Sequence, residues 1–478
     1  MRIFSLRSLH LLHRWLGITF GLLVLFWFVS GLVMLYVPYP SLTKAERLAY
    51  LIPINIKMVK FSMSDIWTKQ NSEQPETVKL EMLNNRPVYH LMISKHWQSI
   101  WADNRQKVLV DQALMSASIK TFHPDAQINS LAKTERDQWS LSTKYDGHRP
   151  LYLAKLNDAL GTHLYLSSKT GEVVIDTIRQ ERAWNWVGAV IHWIYFTPLR
   201  TQAELWRQVI LWTSFFSILL VGIGIWLGIN RLRLKKKYKN NRITPYTGWK
   251  KWHHLIGLVG GIFCVTWLLS GWLSVKPFDW ISDRKLAEKE LTEWSGKPLG
   301  IKDMTLPTDF QPNLNLKEIN WINFAGNTYL LGRGENRDWL LDKETGHVID
   351  PVNRNILVKQ AEQLQPGHAI ESITALQYGD LYYRSSPNKT IIPVLRIQFN
   401  DSNHTCYYID AATSSIVASV DDQSRLYRWL FHGLHRLDIP PLSQFELPRQ
   451  LMIFLLSALG VVLSSTGVIL GIKRLKSM

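Results

Sequence analysis

Four uncharged apolar runs constrain the fold of this chain more than any other feature. Each run has at least 22 residues and contains no Asp, Glu, Lys or Arg. A helix needs about 20 apolar residues to cross the hydrocarbon core of a bilayer. The runs are residues 15–37, 209–230, 252–275 and 451–472. The sequence therefore predicts a membrane protein with four helical spans.

The positive charge of the chain is concentrated beside these spans. Of the 55 Lys and Arg residues, 15 lie in residues 1–14, 231–251 and 473–478, which contain no acidic residue. The other 40 are matched by 38 Asp and Glu residues, so the net charge of +17 does not indicate a nucleic-acid partner. Basic residues mark the cytoplasmic ends of spans. We therefore expect both termini and the 231–251 loop to be cytoplasmic, with residues 38–205 and 276–448 on the far side.

An internal duplication relates the two halves of the chain. Residues 240 positions apart match at His13 and His253, Gly17 and Gly257, Gly21 and Gly261, Ser30 and Ser270, and Gly31 and Gly271. Residues 243 positions apart match at Trp186 and Trp429, His192 and His435, Gly224 and Gly467, and Arg231 and Arg474. Each half has a span, an outer segment, a His-bearing segment and a second span. Because both halves have the same orientation, the sequence predicts parallel repeats.

The repeat and the charge pattern divide the chain into seven segments. They are residues 1–37 (cytoplasmic N-terminus and span 1), 38–183 (first periplasmic domain), 184–230 (interfacial His helix and span 2), 231–251 (basic cytoplasmic loop), 252–275 (span 3), 276–426 (second periplasmic domain) and 427–478 (interfacial His helix, span 4 and cytoplasmic tail). We expect residues 184–199 and 427–442 to form amphipathic helices at the membrane surface, which Pro198 and Pro440 break.

The two outer domains have the pattern of an α+β fold. Alternation of apolar and polar residues predicts antiparallel strands at residues 150–156, 162–168, 328–333 and 394–399. Residues 112–122 and 354–364 are predicted to be helical. The expected architecture is thus a four-span helical membrane protein, in two parallel repeats, with two α+β domains.

Histidines at the span boundaries are the candidate cofactor ligands. His13 and His253 begin spans on the cytoplasmic side, whereas His192 and His435 lie on the outer side. A span of 23 residues is about 34 Å long, so the symmetry of the repeat pairs His13 with His253, and His192 with His435. Neutral imidazole is a standard axial ligand of haem iron. The pattern predicts two haem b groups; a CxxCH motif for covalent haem does not occur.

The roles of several residues near the span boundaries have more than one explanation. Boundary histidines also contact lipid headgroups, and glycines four residues apart, such as Gly17 and Gly21, also pack helices together. Second choices as ligands, without a matching histidine in the other half, are His10, His254 and His432. Arg207 and Arg449 either hold haem propionates or anchor the spans to headgroups. Ser30 and Ser270 are expected to be packing residues.

The remaining histidines show no spacing typical of a metal site. They are His90, His96, His123, His148, His163, His347, His368 and His404, and we expect most of them to lie on the surface or in turns. The sequence contains no phosphate loop, nucleotide fingerprint or nucleophile elbow, so no catalytic residue is assigned.

Several short motifs resemble the PepSY-associated transmembrane helix family. They are HRWLG at residues 13–17, HHLIG at residues 253–257, the Asp/Ser-x-x-Thr-Gly-x-Val pattern that ends at residues 173 and 348, and HGLHR at residues 432–436. Within this family the chain is similar to iron-regulated ferric-siderophore reductases of the bacterial inner membrane. The resemblance covers essentially the whole chain.

The resemblance implies a haem-bearing four-span core, PepSY-like periplasmic domains and delivery of one electron to an iron chelate. We therefore expect a haem-dependent reductase whose partners are membrane lipid, a ferric siderophore and an electron donor. Because no flavin or nicotinamide fingerprint occurs, the expected donor is a cytoplasmic reductase or quinol. The alternatives are a non-haem PepSY-type regulatory or protease-inhibitory membrane protein and a parallel-repeat transporter.

Overall fold

The computed structural model of the chain describes residues 5–67, 74–278, 283–306, 310, 314–349, 351–377, 379–383 and 394–478. The chain forms two compact units, and each is built from several separate stretches of sequence. We call Met1–Tyr39, Gln180–Asp283 and Leu426–Met478 the membrane unit, and Pro40–Arg179 and Arg284–Arg425 the sheet unit.

The described residues form the following helices and strands, numbered in chain order. The helices are α1 Leu6–Met34, α2 Lys44–Tyr50, α3 Met63–Ile66, α4 Gln112–Phe122, α5 Arg179–Val187, α6 Ala189–His192, α7 Thr197–Arg200, α8 Ala203–Arg231, α9 Gly248–Ser274, α10 Glu288–Ser295, α11 Arg354–Ala361, α12 Asp422–Tyr427, α13 Leu434–Arg436 and α14 Glu446–Leu475. The strands are β1 Thr77–Leu83, β2 Arg86–Ile93, β3 His96–Trp101, β4 Ile128–Thr134, β5 Leu151–Leu156, β6 His163–Ser167, β7 Val173–Thr177, β8 Glu318–Phe324, β9 Asn327–Arg333, β10 Asp338–Asp342, β11 Val348–Ile349, β12 Ile370–Leu376, β13 Val394–Phe399, β14 Cys406–Asp410 and β15 Ser415–Val420.

Four long helices form the membrane unit, and each contains most of one predicted apolar run. Helices α1, α8, α9 and α14 have 27 to 30 residues and are long and apolar enough to cross a membrane. At a rise of 1.5 Å per residue they are about 40 Å or more in length. They pack as a closed ring, in the order α1, α8, α9 and α14. The prediction of four spans is confirmed, and the helices α1 and α9 lie diagonally opposite each other.

Each His-bearing segment is a set of short helical pieces. The first ends at His192, and the second continues from α12 through a π-helical turn at Arg428–Gly433 into α13. Ile194 and Leu437 follow these ends with positive φ angles of 50° and 49°. Residues other than Gly rarely adopt that conformation, and the first helix ends at its histidine and the second ends one residue after it. The prediction that Pro198 breaks the first helix is wrong, because Pro198 lies in the first turn of α7, where Pro is tolerated.

Among the residues that the structure describes, the sheet unit contains three antiparallel sheets. The largest has seven strands in the order β11-β10-β9-β8-β1-β2-β3, and the others are β4-β5-β6-β7 and β12-β13-β14-β15. The central pair of the large sheet is β1 with β8, where Leu80 lies opposite Ile319. One continuous sheet thus contains strands from both outer segments, a pairing that the sequence did not indicate.

The core of the sheet unit is likewise shared between the outer segments. Leu80 and Leu91 of the first segment are fully buried in one cluster with Ile319 and Leu330 of the second. Helix α4 packs on the apolar face of β4–β7, and α11 together with Trp294 of α10 packs on that of β12–β15. The predicted helices at residues 112–122 and 354–364 and the predicted strands are confirmed, as is the mixed α+β character.

A buried charge cluster lies where β1 meets β8. Glu81 and Glu318 face each other directly across the two strands, an arrangement that by itself is destabilising. The guanidinium of Arg47, on α2, binds both carboxylates, at 2.9 Å from Oε2 of Glu81 and in a close ion pair with Glu318. A capping box between Thr43 and Glu46 fixes the start of α2 and so positions Arg47.

The ionisation of Glu318 makes the stability of the sheet unit pH-dependent. Burial alone would raise the pKa of Glu318, but the positive charges of Arg47, Lys79 and Arg333 outweigh it and lower the pKa to about 2. A depressed carboxyl pKa stabilises the fold above the unfolded-state value, near 4.5, and this stabilisation is lost as the pH falls toward 2. We expect Glu318 to contribute on the order of 3 kcal/mol at neutral pH.

Amide hydrogen exchange of the peptide that contains β8 measures this loss between pH 4.5 and 2, after correction for the intrinsic exchange rate. The Glu318→Gln variant lacks the titrating group, so its protection in the same window should change much less. Equal pH dependence in the two proteins would contradict the assignment to Glu318.

Candidate functional site

The membrane unit brings its repeat-related histidines together in two facing pairs. His13 of α1 and His253 of α9 have ring centres 6.2 Å apart, and we call them pair I. His192 and His435, from the two short His-bearing segments, have ring centres 6.1 Å apart and form pair II. The juxtaposition agrees with the pairing derived from the repeat. Their role as ligands stays a prediction.

Each histidine of pair I is held through its Nδ1 atom. Nδ1 of His13 lies 3.0 Å from the carbonyl oxygen of Leu220 on α8, so this nitrogen carries the proton and donates. Nδ1 of His253 lies 3.0 Å from Oγ1 of Thr466 on α14. The Thr466 hydroxyl donates its own proton to the carbonyl of Leu463, so its oxygen accepts from His253. Both Nε2 atoms therefore keep a free lone pair.

Pair II has the same arrangement with serine as the acceptor. Nδ1 of His192 lies 3.1 Å from Oγ of Ser30, and Nδ1 of His435 lies 3.0 Å from Oγ of Ser270. Both serine hydroxyls donate to the carbonyl three residues earlier, so each accepts from its histidine. Ser30 and Ser270 were expected to be packing residues. The structure shows that they also fix the tautomer and orientation of the histidines.

A glycine lies against each of the four imidazole rings. A Cβ atom added at Gly224 would be 2.7 Å from Cε1 of His13, and one at Gly467 would be 3.3 Å from Cε1 of His253. For pair II the corresponding distances are 3.4 Å at Gly31 and 3.5 Å at Gly271. Because these positions have no side chain, the imidazole rings can lie directly against the helix backbone.

The glycines near the start of each span have a different role. A Cβ at Gly17 would contact Leu220, and one at Gly261 would contact Ile225 on the neighbouring helix. Gly21 and Gly257 likewise face apolar side chains, those of Val468 and Leu463. Of the two explanations left open by the sequence, helix packing is the one that the structure shows. The glycine that lies against His13 is Gly224, whose repeat was visible in the sequence but had not been linked to a histidine.

The spacing within each pair suits one metal ion between two imidazoles. An imidazole nitrogen binds a metal at about 2 Å, and the nitrogen lies about 1.2 Å from the ring centre. Two imidazoles on opposite sides of one ion therefore have centres about 6.3 Å apart. The observed separations of 6.2 and 6.1 Å agree with this value. Each pair would offer the Nε2 atoms of two imidazoles to such an ion, and haem iron is one ion that imidazole binds.

The second-choice histidines lie outside these pairs. Nε2 of His254 is 2.9 Å from the carbonyl oxygen of Gly228, and its ring contacts Tyr246. The ring of His432 contacts Tyr427 and Phe431. His10 lies nearly one helical turn before His13 on α1.

Both candidate propionate-binding arginines bind nearby protein groups. Arg207 donates to the carbonyl of Lys276 at 3.1 Å and lies 3.6 Å from Glu204. Arg449 donates to the carbonyl of Arg436, next to His435, and forms a salt bridge with Glu446. Arg449 thereby ties the end of the second His-bearing segment to α14.

Comparison with known proteins identifies the family of the chain. A comparison with curated proteins gives no match. The model of the PepSY-associated TM region family matches residues 10–474, which include nearly all of the four long helices and both histidine pairs. The chain is therefore a membrane protein that belongs to the PepSY-associated TM region family.

Proposed function

We propose that this protein is a dihaem reductase that passes electrons across the bacterial inner membrane to a ferric siderophore. The observation that carries the proposal is the pair of facing imidazoles at each end of the bundle. In each pair Nδ1 is engaged by a protein acceptor and the ring spacing suits one coordinated ion. When bound, haem supplies one-electron redox chemistry, which needs no protein nucleophile.

The two pairs lie at different levels of the bundle. Ser30, which binds His192, is 17 residues after His13 on α1, and Ser270 is 17 residues after His253 on α9. Seventeen residues of helix correspond to about 25 Å. The hydrocarbon core of a bilayer is about 30 Å thick. Pairs I and II are thus suitably placed to serve opposite faces of the membrane.

The surrounding side chains fix the properties of both sites. Hydrogen bonds from Nδ1 to Leu220, Thr466, Ser30 and Ser270 hold each ring in one tautomer and increase the basicity of Nε2. If haem is bound, His13 and His253 would hold one iron, and His192 and His435 would hold the other. This arrangement favours electron transfer over binding of oxygen or substrate at the iron.

The substrate and the donor follow from the family resemblance and from iron chemistry. Hard oxygen ligands bind Fe(III) more tightly than Fe(II), so the transfer of one electron loosens the ion and leaves the chelator intact. We propose a ferric siderophore as the acceptor, and a cytoplasmic reductase or quinol as the donor. A transporter is less well supported, because transporter sites are built from broken helices and α1, α8, α9 and α14 run without a break.

A haem count and a reoxidation experiment test this proposal. The purified full-length protein should contain two b-type haems per chain by pyridine haemochrome assay, and both should be reduced by dithionite. In stopped-flow measurements, ferric hydroxamates, catecholates and carboxylates are then mixed with the reduced protein. We expect rapid reoxidation by one class. Protein without haem after expression with excess haem would refute the dihaem core, whereas equally slow reoxidation by every chelate would refute only the substrate.

Substitution of Gly224 tests the fit of the His13 ring. In Gly224→Ala the new methyl group would lie 2.7 Å from Cε1 of His13, so the ring must move from its present place beside His253. We expect a shifted or missing signal from the haem at pair I. The control is Gly222→Ala, on the same helix, where a Cβ meets nothing within 4 Å. Low-temperature optical or EPR spectra compare the variants, and identical changes in both would contradict the proposed contact.

The orientation of the chain is proposed from the basic residues beside the spans. Tags at either terminus or at Lys237 should be cytoplasmic, and tags near Gln127 and Gly334 should be periplasmic. Protease added to intact spheroplasts should therefore cleave at the second group of tags and spare the first. Cleavage of the 231–251 loop from outside would reverse the proposed direction of electron flow.

A further inference from the structure

Three buried polar atoms in the sheet unit have no hydrogen-bond partner among the described residues and face one another. They are Oε1 of Glu81, Nε2 of His90 and Oε2 of Glu172. Nε2 of His90 lies 3.4 Å from Oε1 of Glu81 and 3.8 Å from Oε2 of Glu172. Glu81 and His90 are 0% exposed and Glu172 is 7% exposed. Buried polar atoms without partners are costly, so this gap requires an occupant.

Two different sheets supply these residues. Glu81 lies on β1, and His90 lies on the adjacent strand β2, opposite Lys79. Glu172 lies in the turn between β6 and β7 of the four-stranded sheet, directly after Gly171, whose φ is +76°. The expectation that such histidines lie on the surface or in turns is wrong for His90. The sequence spacing of the three residues matches no metal motif, because their contact depends on packing between sheets.

The neighbouring cations bind the other oxygen of each carboxylate. Nζ of Lys79 lies 3.4 Å from Oε2 of Glu81 and 2.5 Å from Oε1 of Glu172. Arg47 binds Oε2 of Glu81 at 2.9 Å. Each carboxylate therefore has one oxygen in an ion pair and one oxygen directed at His90.

The tautomer of His90 is also fixed. Its Nδ1 lies 2.5 Å from Oγ of Ser99, and the Ser99 hydroxyl donates to the carbonyl of Lys169. The serine oxygen therefore accepts the Nδ1 proton, and Nε2 is the ring nitrogen that lies toward the two glutamates. This is the orientation in which a histidine binds a metal through Nε2.

We propose that Glu81, His90 and Glu172 bind a divalent first-row transition-metal ion, such as Zn²⁺ or Mn²⁺, that joins the two sheets. The three donor atoms all lie within 4.8 Å of one another. Tetrahedral ligands at about 2.1 Å from an ion are about 3.4 Å apart, so the observed gap closes onto an ion with small movements. One imidazole and two carboxylates suit such ions better than Ca²⁺ or Mg²⁺, which take mainly oxygen ligands.

Metal analysis of the full-length protein tests the proposal, with Zn²⁺ and Mn²⁺ as probes because neither is confused with haem iron. Untagged protein is treated with chelator, dialysed against each ion and measured by inductively coupled plasma mass spectrometry. We expect one tightly bound equivalent of at least one ion, and a higher melting temperature when it is bound. Glu172→Gln and His90→Gln should each bind it at least about tenfold more weakly.

His148→Gln is the matched control. His148 is partly buried, its Nδ1 lies 3.0 Å from Oγ of Ser167, and it is not one of the three donors. This variant should retain the bound ion. The proposal is overturned if the wild-type protein binds less than about one fifth of an equivalent, or if Glu172→Gln and His90→Gln, folded by their melting curves, bind as wild type. A high His90 pKa in NMR titrations without metal binding would identify a proton as the occupant instead. The result is independent of the haem content of the membrane unit.

Discussion

Replacement of His13 or His253 by Ala is expected to remove one of two haems, and replacement of His192 or His435 the other. The reason is that each pair supplies both imidazoles for one proposed iron, at ring separations of 6.2 and 6.1 Å. Loss of one axial ligand should lower the haem content from two to one per chain and abolish electron transfer across the membrane. Pyridine haemochrome assays and optical spectra of the purified variants give the count and show which species remains.

Neighbouring histidines provide matched controls for these variants. One control is His254→Gln. His254 is next to His253 in sequence, but the ring of His254 binds the Gly228 carbonyl. The other control is His432→Ala. His432 lies three positions before His435, and the ring of His432 contacts Tyr427 and Phe431. Both should keep two haems. If His13→Ala and His192→Ala abolished the same spectral species, the assignment of the pairs to separate haems would be wrong.

Arg47→Met is expected to destabilise the sheet unit by about 3–5 kcal/mol, because it leaves Glu81 and Glu318 buried and opposite each other without their shared cation. Methionine keeps much of the volume of the arginine stem, so the loss reports mainly on charge. Pulse proteolysis in urea, followed by analysis of fragments from residues 40–179 and 284–425, measures the unfolding free energy of this unit.

Lys44→Met is the control on the same helix. Lys44 forms an ion pair with Asp338 at 2.6 Å, but its side chain is 43% exposed. Exposed pairs contribute at most about 1 kcal/mol, so this variant should unfold nearly as the wild-type protein does. A similar loss for both variants would show that the buried position of Arg47 has no special importance for stability.

The membrane unit was the part of the fold most accessible from sequence. Long uncharged runs have few alternatives in a bilayer, and the offset of 240 to 243 residues paired His13 with His253 and His192 with His435. The partners of these histidines were less accessible. Their partners lie on other helices: the acceptors are Leu220 and Thr466, and the glycines are Gly224 and Gly467. Which residues of those helices face the histidines depends on how each helix is rotated about its axis, and that rotation is set by packing that no local pattern specifies.

The sheet unit shows the limits of local patterns more clearly. Alternation identified individual strands such as β5 and β13, because it reports which face of a strand is buried. It does not report which strand lies alongside, so the β1–β8 pairing was missed. The same reason hid the Glu81, His90 and Glu172 cluster, whose members are distant in sequence and meet through contact between two sheets.

The pairing of β1 with β8 also has a consequence for biosynthesis. Thr77 of β1 leaves the ribosome well over two hundred residues before Glu318 of β8. At about 5–20 residues per second, this interval lasts roughly 10–50 s. Until β8 is made, the edge of β1 that pairs with it in the folded sheet lacks that partner. Charged side chains on an open edge discourage pairing with foreign strands. Lys79 and Glu81, which later meet Asn320 and Glu318, thus protect the nascent chain from aggregation until its second half arrives.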